Sequence, residues 1–334
     1  MNIDCHVHIC ALLPPHGIMT PRIYKSLPFR FMQSRLGIQH VEGEEDTTER
    51  AITQKLFDLL TQTTELDAAA VLAFDAVYTL DGEFNTTDTH FYVKNDFVID
   101  LAKRHPKILF GASVHPYRKD AVAELERCIA AGAVLLKWLP LTQDINPADP
   151  RCIPFYECLA HHRLPLLSHT GGEKTLPNIN PNVASPALLD EAVRRGVTII
   201  AAHCGTRSAM GETDYVGVFA KMAKDHEHFY GDTSALNLPT RSHAYKTLLE
   251  DPAVMAKVIH GSDWPIIPIP PAFRLGLSAT AEFLQEPNWL RRDIRIKQRL
   301  GFGEDYWNRA AKVLRQPEAA FGSPRRDAPT TTLA

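Results

Sequence analysis

The chain has 334 residues, 45% hydrophobic and 22% charged, an ordinary globular composition with enough length for one large core or two modest ones. A formal net charge of −3 advertises no concentrated basic surface, which argues against a nucleic-acid or membrane partner, and no apolar run reaches the roughly 18 residues of a membrane span. The 6 cysteines are scattered without a C-x-x-C pair, against a disulfide framework or zinc knuckle, and no signal-like segment opens the chain, so a reduced, cytoplasmic protein acting on a small molecule is expected.

In chain order, short apolar runs alternate with longer segments of helical character. The runs are 2–9, 67–73, 108–114, 133–139, 164–169, 197–203, 228–233 and 257–263, eight candidate strands. Between them lie amphipathic stretches such as 93–105, 119–131, 154–163 and 185–195, several ended by Gly or a polar residue just before the next strand. Eight βα units predict an α/β fold, a closed (β/α)8 TIM barrel occupying residues 1–315.

Two segments exceed a minimal barrel: 11–66 after the first strand, and the Pro-rich stretch Pro265, Pro268, Pro270, Pro271 after the last. Both are expected at the catalytic mouth, with 11–66 an inserted, partly helical lid whose helix covers 47–61. A C-terminal helical extension follows the barrel, and the tail 316–334 has too little apolar content to pack, so disorder is expected there.

A parallel barrel carries its chemistry at the carboxyl ends of its strands. There the first strand offers His6 and His8, which as residues i and i+2 of a strand face one side together, within reach of one ion. The fourth strand offers Lys137, the fifth His169, the sixth His203 and the eighth Asp263, each placed inward by period-2 alternation. Singly, each is a commonplace strand-end or loop residue, and Asp263 would serve as a helix N-cap. Together they read as one centre.

On these residues the chain resembles the amidohydrolase superfamily, and within it the amidohydrolase-related family that includes aminocarboxymuconate-semialdehyde decarboxylase and pyrone-dicarboxylate lactonase. The carriers are Asp4-Cys5-His6-Val7-His8, the stretch 132–140 with Lys137, the stretch 167–172, Ala201-Ala202-His203-Cys204-Gly205, His260-Gly261-Ser262-Asp263-Trp264-Pro265, and Asn308-Arg309-Ala310-Ala311 as the closing helix. The resemblance implies that His6, His8 and His169 ligate a divalent metal, that Asp263 ligates it or its water, and that His203 is a second-metal ligand or catalytic base. Zinc is the expected metal, one or two ions, with manganese or iron as alternatives. Asp263 would be the general base on a metal-activated water, with the metal and His203 stabilising the oxyanion.

Lys137 stays open, because an ammonium has no acceptor for a cation. In binuclear members of the superfamily a lysine on this strand is carboxylated and bridges two metals; in a mononuclear site Lys137 stays protonated and pairs with Asp263 or a substrate carboxylate. The mononuclear reading is preferred. Around the centre, Trp138, His115, Arg207 and Glu173 are candidate substrate contacts, and Arg22, Arg30, Phe29 and Phe31 in the lid suit an anionic substrate with a cyclic or aromatic body.

The expected function is a metal-dependent hydrolase cleaving an ester, lactone or amide of a small carboxylated substrate; the alternative is a non-oxidative decarboxylase, a lyase, of a small cyclic or aromatic acid. A nuclease of the TatD kind shares the first-strand histidines but has a glutamate where this chain has Lys137, and a non-catalytic metal scaffold would not need Asp263. The expected partner is a small, anionic substrate, with a homodimer left open.

Overall fold

The computed structural model describes residues 1–38 and 43–316. Eight parallel strands, β1 (Ile3–His8), β2 (Ala68–Leu72), β3 (Ile108–Ala112), β4 (Leu135–Trp138), β5 (Leu166–His169), β6 (Ile199–Ala202), β7 (Phe229–Asp232) and β8 (Val258–Ile259), hydrogen-bond to one another in chain order. The seam between the last and first is tied by backbone bonds from Cys5 N–H to the His260 carbonyl (3.0 Å), from His8 N–H to the Trp264 carbonyl (2.7 Å) and from Asp263 N–H to the His6 carbonyl (2.9 Å). The result is a (β/α)8 barrel.

The strands are apolar on both faces because both are covered. Ile3, Cys5, Ala70, Leu72, Leu135, Leu167, Ile200 and Ile259 belong to one core cluster, joined by Ala310 of the last helix and Leu314 just past its end. The alternate residues, among them Val7, Val71, Leu136, Leu166 and Ile199, form a second, larger cluster with the surrounding helices.

All eight predicted runs contain a strand. The predicted helix 93–105 begins later, at Asn95, because Phe91–Val93 pairs antiparallel with Gly17–Met19 in a ribbon the sequence did not suggest. Within 11–66 lie that ribbon strand and the helices Pro21–Tyr24, Leu27–Leu36 and Glu45–Gln62, the last extending the predicted 47–61 at both ends. Leu27–Leu36 is locally encoded: Ser26 caps the Phe29 N–H, a proline sits in the first turn, and Gly37 ends the helix at φ 72°. Helices Trp289–Arg299 and Glu304–Val313 follow the barrel strands. The expected disordered tail lies, but for Gln316, outside the described residues. Among the described residues no helix is long and apolar enough to cross a membrane.

Candidate metal centre and pocket

The register of β1 against β2 shifts between Asp4 and Val7. Strict alternation would turn His6 away from Cys5. Instead Cys5 joins the inner cluster and His6 the centre above it, because the bulge reverses the pleat between them. Asp4 fixes this bend by accepting from His6 N–H at 3.1 Å and Ser262 N–H at 2.9 Å with one oxygen. His6 Nε2 then lies 3.1 Å from His8 Nε2, and Asp263 Oδ1 lies 3.2 Å from the first and 3.3 Å from the second.

Asp263 reaches this point differently from the expected alternation. β8 ends at Ile259, and Asp263 sits beyond it with a left-handed backbone, φ 67°. His203 departs from that alternation too: Ala201, the residue it should share a face with, belongs to the outer cluster, and a left-handed backbone at His203, φ 58°, turns the ring to the centre instead. Such conformations are uncommon outside glycine and gather at functional sites.

Hydrogen bonding sets the tautomers. His203 Nδ1 lies 2.9 Å from the Ser234 carbonyl and His169 Nε2 lies 3.1 Å from the Gly172 carbonyl. A carbonyl only accepts, so each of these nitrogens carries the proton and the other ring nitrogen is bare. The bare pair, His203 Nε2 and His169 Nδ1, face each other at 3.3 Å. His6 Nδ1 likewise donates to Asp232 Oδ2 at 2.7 Å, turning its own Nε2 lone pair inward. Burial drives His6, His169 and His203 well below the usual histidine range, so they stay neutral. Burial would raise Asp263, but the hydrogen bond from His8 and the charge of Lys137 outweigh it and hold it below the ordinary carboxylate value.

Neutral imidazoles with lone pairs converging beside an anionic carboxylate repel unless a cation stands among them. The ligand atoms of His6, His8 and Asp263 all lie within 4.8 Å of one another, and His203 packs beside them, its ring centroid 5.3 Å from that of His6. This donor set fits a divalent metal ion. With Nε2 bare, His203 can ligate or accept a proton; the expected donation to an oxyanion does not suit this tautomer.

Lys137 is fully buried, its Nζ 3.1 Å from His6 Nε2, and burial lowers its pKa to about 8. Its ammonium there competes with a cation for the same lone pair.

Above the centre a pocket opens, floored by His8, His169, His203 and Asp263. Its walls are mostly apolar: Ile23, Phe29 and Met32 from the 11–66 insertion, Phe74, Phe91, Leu139 and Leu238 from the barrel loops, and Pro265 and Ile266 from the Pro-rich stretch. Glu173, Lys174, Thr175, Ser208 and Arg241 supply polar wall.

Three candidate contacts lie elsewhere. Trp138 follows the inward Lys137 and therefore points outward, its Nε1 donating to the Val114 carbonyl at 2.8 Å and its ring stacked on Phe155. His115 donates from Nε2 to the Gln143 carbonyl at 2.8 Å and packs among Tyr78 and Tyr117. Arg207 turns to Asp214, 3.5 Å away. In the insertion Phe29 lines the pocket, whereas Phe31 is exposed and Arg22 contacts His90.

Two residues escaped the sequence reading. Asp232 holds His6 by one oxygen and takes His203 N–H at 2.8 Å with the other. It ends β7, so the strand-end rule applied to the other strands would have found it. Arg241 lies in the loop beyond, where no periodicity points to it.

The sequence matches the amidohydrolase family over residues 3–287. No curated protein matches it. Among solved structures it is similar to an uncharacterized TIM-barrel protein from Bordetella bronchiseptica (16% identity, TM-score 0.57, covering 90% of this chain and 99% of that one). It is also similar to a probable 2-pyrone-4,6-dicarboxylic acid hydrolase from Acinetobacter baumannii (15%, TM-score 0.53, 92% and 99%) and to 5-carboxyvanillate decarboxylase from Sphingomonas paucimobilis (14%, TM-score 0.52, 93% and 98%). At these identities the structures speak for the barrel alone, while the match over most of the sequence shows that the chain belongs to the amidohydrolase family.

Proposed function

We propose that the chain is a metal-dependent hydrolase that cleaves an ester, lactone or amide bond of a small carboxylated substrate. The observation that carries this reading is the meeting of two bare imidazole nitrogens, His203 Nε2 and His169 Nδ1 at 3.3 Å, next to the cluster in which the ligand atoms of His6, His8 and Asp263 lie within 4.8 Å of one another. A bound divalent ion, zinc by the donor set with manganese or iron as alternatives, supplies a Lewis acid and lowers the pKa of water to about 7.

The chain's own residues do the rest. Asp263, kept anionic by the hydrogen bond from His8 and the charge of Lys137, accepts the proton of the attacking water and returns it to the leaving group. Asp232 keeps the His6 proton on Nδ1, and the carbonyls of Ser234 and Gly172 do the same service for His203 and His169. Lys137, whose Nζ contacts His6 Nε2, is assigned as an ammonium that yields that nitrogen to the metal and turns to Asp263 or a substrate carboxylate in a one-metal site.

A decarboxylase is the second reading, favoured by the apolar walls, which desolvate a bound carboxylate and so favour loss of carbon dioxide. The solved relatives include enzymes named for both reactions. A panel of carboxylated lactones, esters and amides, assayed in ¹⁸O-water beside carboxylated phenols, decides. Uptake of ¹⁸O into product supports the hydrolase; carbon dioxide release without ¹⁸O uptake supports the lyase. Elemental analysis giving about one ion per chain supports the uncarboxylated Lys137, and about two the carbamate.

A further inference from the structure

Arg241 is 4% exposed and lines the pocket. Its Nη1 donates to the carbonyl and the hydroxyl of Thr206, both at 2.8 Å, and its Nη2 donates to the Gly172 carbonyl at 2.6 Å. Its Nε is buried without a partner. A guanidinium carries five N–H groups, so this one leaves its Nε edge unsatisfied. A buried cation with spare donors is costly unless an anion completes it. The other cation of the wall, Lys174, is exposed and already paired with Glu212 at 2.8 Å.

The position of Arg241 is coupled to the centre. The Gly172 carbonyl that takes its Nη2 also takes His169 Nε2, and the Thr206 hydroxyl that takes its Nη1 donates to the His203 carbonyl at 2.9 Å. One backbone or side-chain bridge therefore separates the guanidinium from each of two candidate ligands. Arg207, the arginine the sequence suggested, also leaves its Nε without a partner, but it does not line the pocket and its guanidinium turns to Asp214.

We propose that Arg241 is the specificity-determining anchor of the pocket, receiving on its Nε edge a substrate carboxylate distinct from the bond that reacts, while Phe29, Phe74 and Phe91 cover a flat apolar body. This rests on the hydrolase reading for the reaction it serves, but the anchor itself is a binding property. The bidentate geometry of guanidinium and carboxylate selects a carboxylate over a neutral amide of the same shape.

Calorimetric titration with benzoate and with benzamide, on the protein as purified and after chelation, tests it. Benzoate is expected to bind about tenfold or more tighter than benzamide in both states, equivalent to about 1.4 kcal/mol or more. Arg241→Met is expected to bring the two probes to parity, Arg241→Lys to retain part of the preference, and Arg207→Met to leave it unchanged. Equal binding of the probes by the unaltered protein overturns the assignment, as does a preference that survives in a folded Arg241→Met. If Arg241→Met does not fold, Arg241→Lys decides: an undiminished preference there overturns it. A preference that vanishes on chelation also overturns it, since the carboxylate then sits on the metal. A purely structural strut would lower the melting temperature without changing the ratio of the two probes. Binding is read without turnover, so failure of the hydrolase reading leaves this result intact, and the reverse.

Discussion

Asp232 accepts the Nδ1 proton of His6 at 2.7 Å and, with its other oxygen, the backbone N–H of His203 at 2.8 Å, so one carboxylate at the end of β7 orients two strands of the centre. Carboxylates that fix a histidine tautomer raise its basicity as a ligand, and their loss typically costs 10–100-fold in metal affinity. Asp232→Asn is expected to weaken metal binding by about that factor. Competition with a chromogenic chelator measures it, and unchanged affinity would detach Asp232 from the centre.

Converging lone pairs also make stability depend on the ion. With a divalent metal at about 100 times its dissociation constant, the folded state gains about 2.7 kcal/mol, and chelation removes it. Denaturant melts with and without zinc should show this increment, reduced in His169→Ala. Identical melts would mean the imidazoles hold no ion.

His115 gives a pH dependence remote from the centre. Burial pushes it from 6.5 down to about 4, and its Nε2–H is committed to the Gln143 carbonyl. The unfolded chain takes up the proton near 6.5 and the folded chain only near 4. Its contribution is therefore fully present above pH 6.5 and is lost as pH falls from there toward 4, up to about 3 kcal/mol. Urea unfolding at pH 7 and pH 4.5 should show a smaller difference in His115→Gln than in the unaltered protein.

Gly171 has φ 81°, and a Cβ there would overlap the Thr206 carbonyl oxygen and the Gly205 backbone. Gly171→Ala must separate the β5 and β6 loops or strain them, at about 1–3 kcal/mol. A lowered melting temperature accompanied by weaker benzoate binding is expected, because Arg241 hangs from Gly172 and Thr206.

Trp138 distinguishes the two sides of β4. Stacked on Phe155 outside the barrel, it should act on stability alone. Trp138→Phe is expected to cost about 1–2 kcal/mol in denaturant melts and to leave benzoate affinity unchanged. A change in affinity would return Trp138 to the pocket.

Much of the centre was legible because parallel strands of a barrel converge at their carboxyl ends, so polar residues there meet however far apart they lie in the chain. That logic brought His6, His8, Lys137, His169, His203 and Asp263 to one place. It failed in detail wherever regular geometry stopped. The bulge in β1, rather than alternation, aims His6, and a left-handed turn past the end of β8 aims Asp263. Trp138 was misplaced although the alternation that turned Lys137 inward required it outward. The ribbon of Gly17–Met19 with Phe91–Val93 depends on a pairing between distant segments, which local pattern does not encode. Arg241 is a loop residue whose role comes only from the carbonyls that surround it.

The seam between β1 and the segment after β8 joins residues near opposite ends of the described chain, and His6 and Asp263 stand on its two sides. A chain with seven strands in place, or one halted before that seam zips, lacks the Asp263 carboxylate beside His6 and His8. On the role proposed for Asp263, catalytic competence and completion of the ring are one event, and a half-assembled intermediate would be chemically silent rather than indiscriminately reactive.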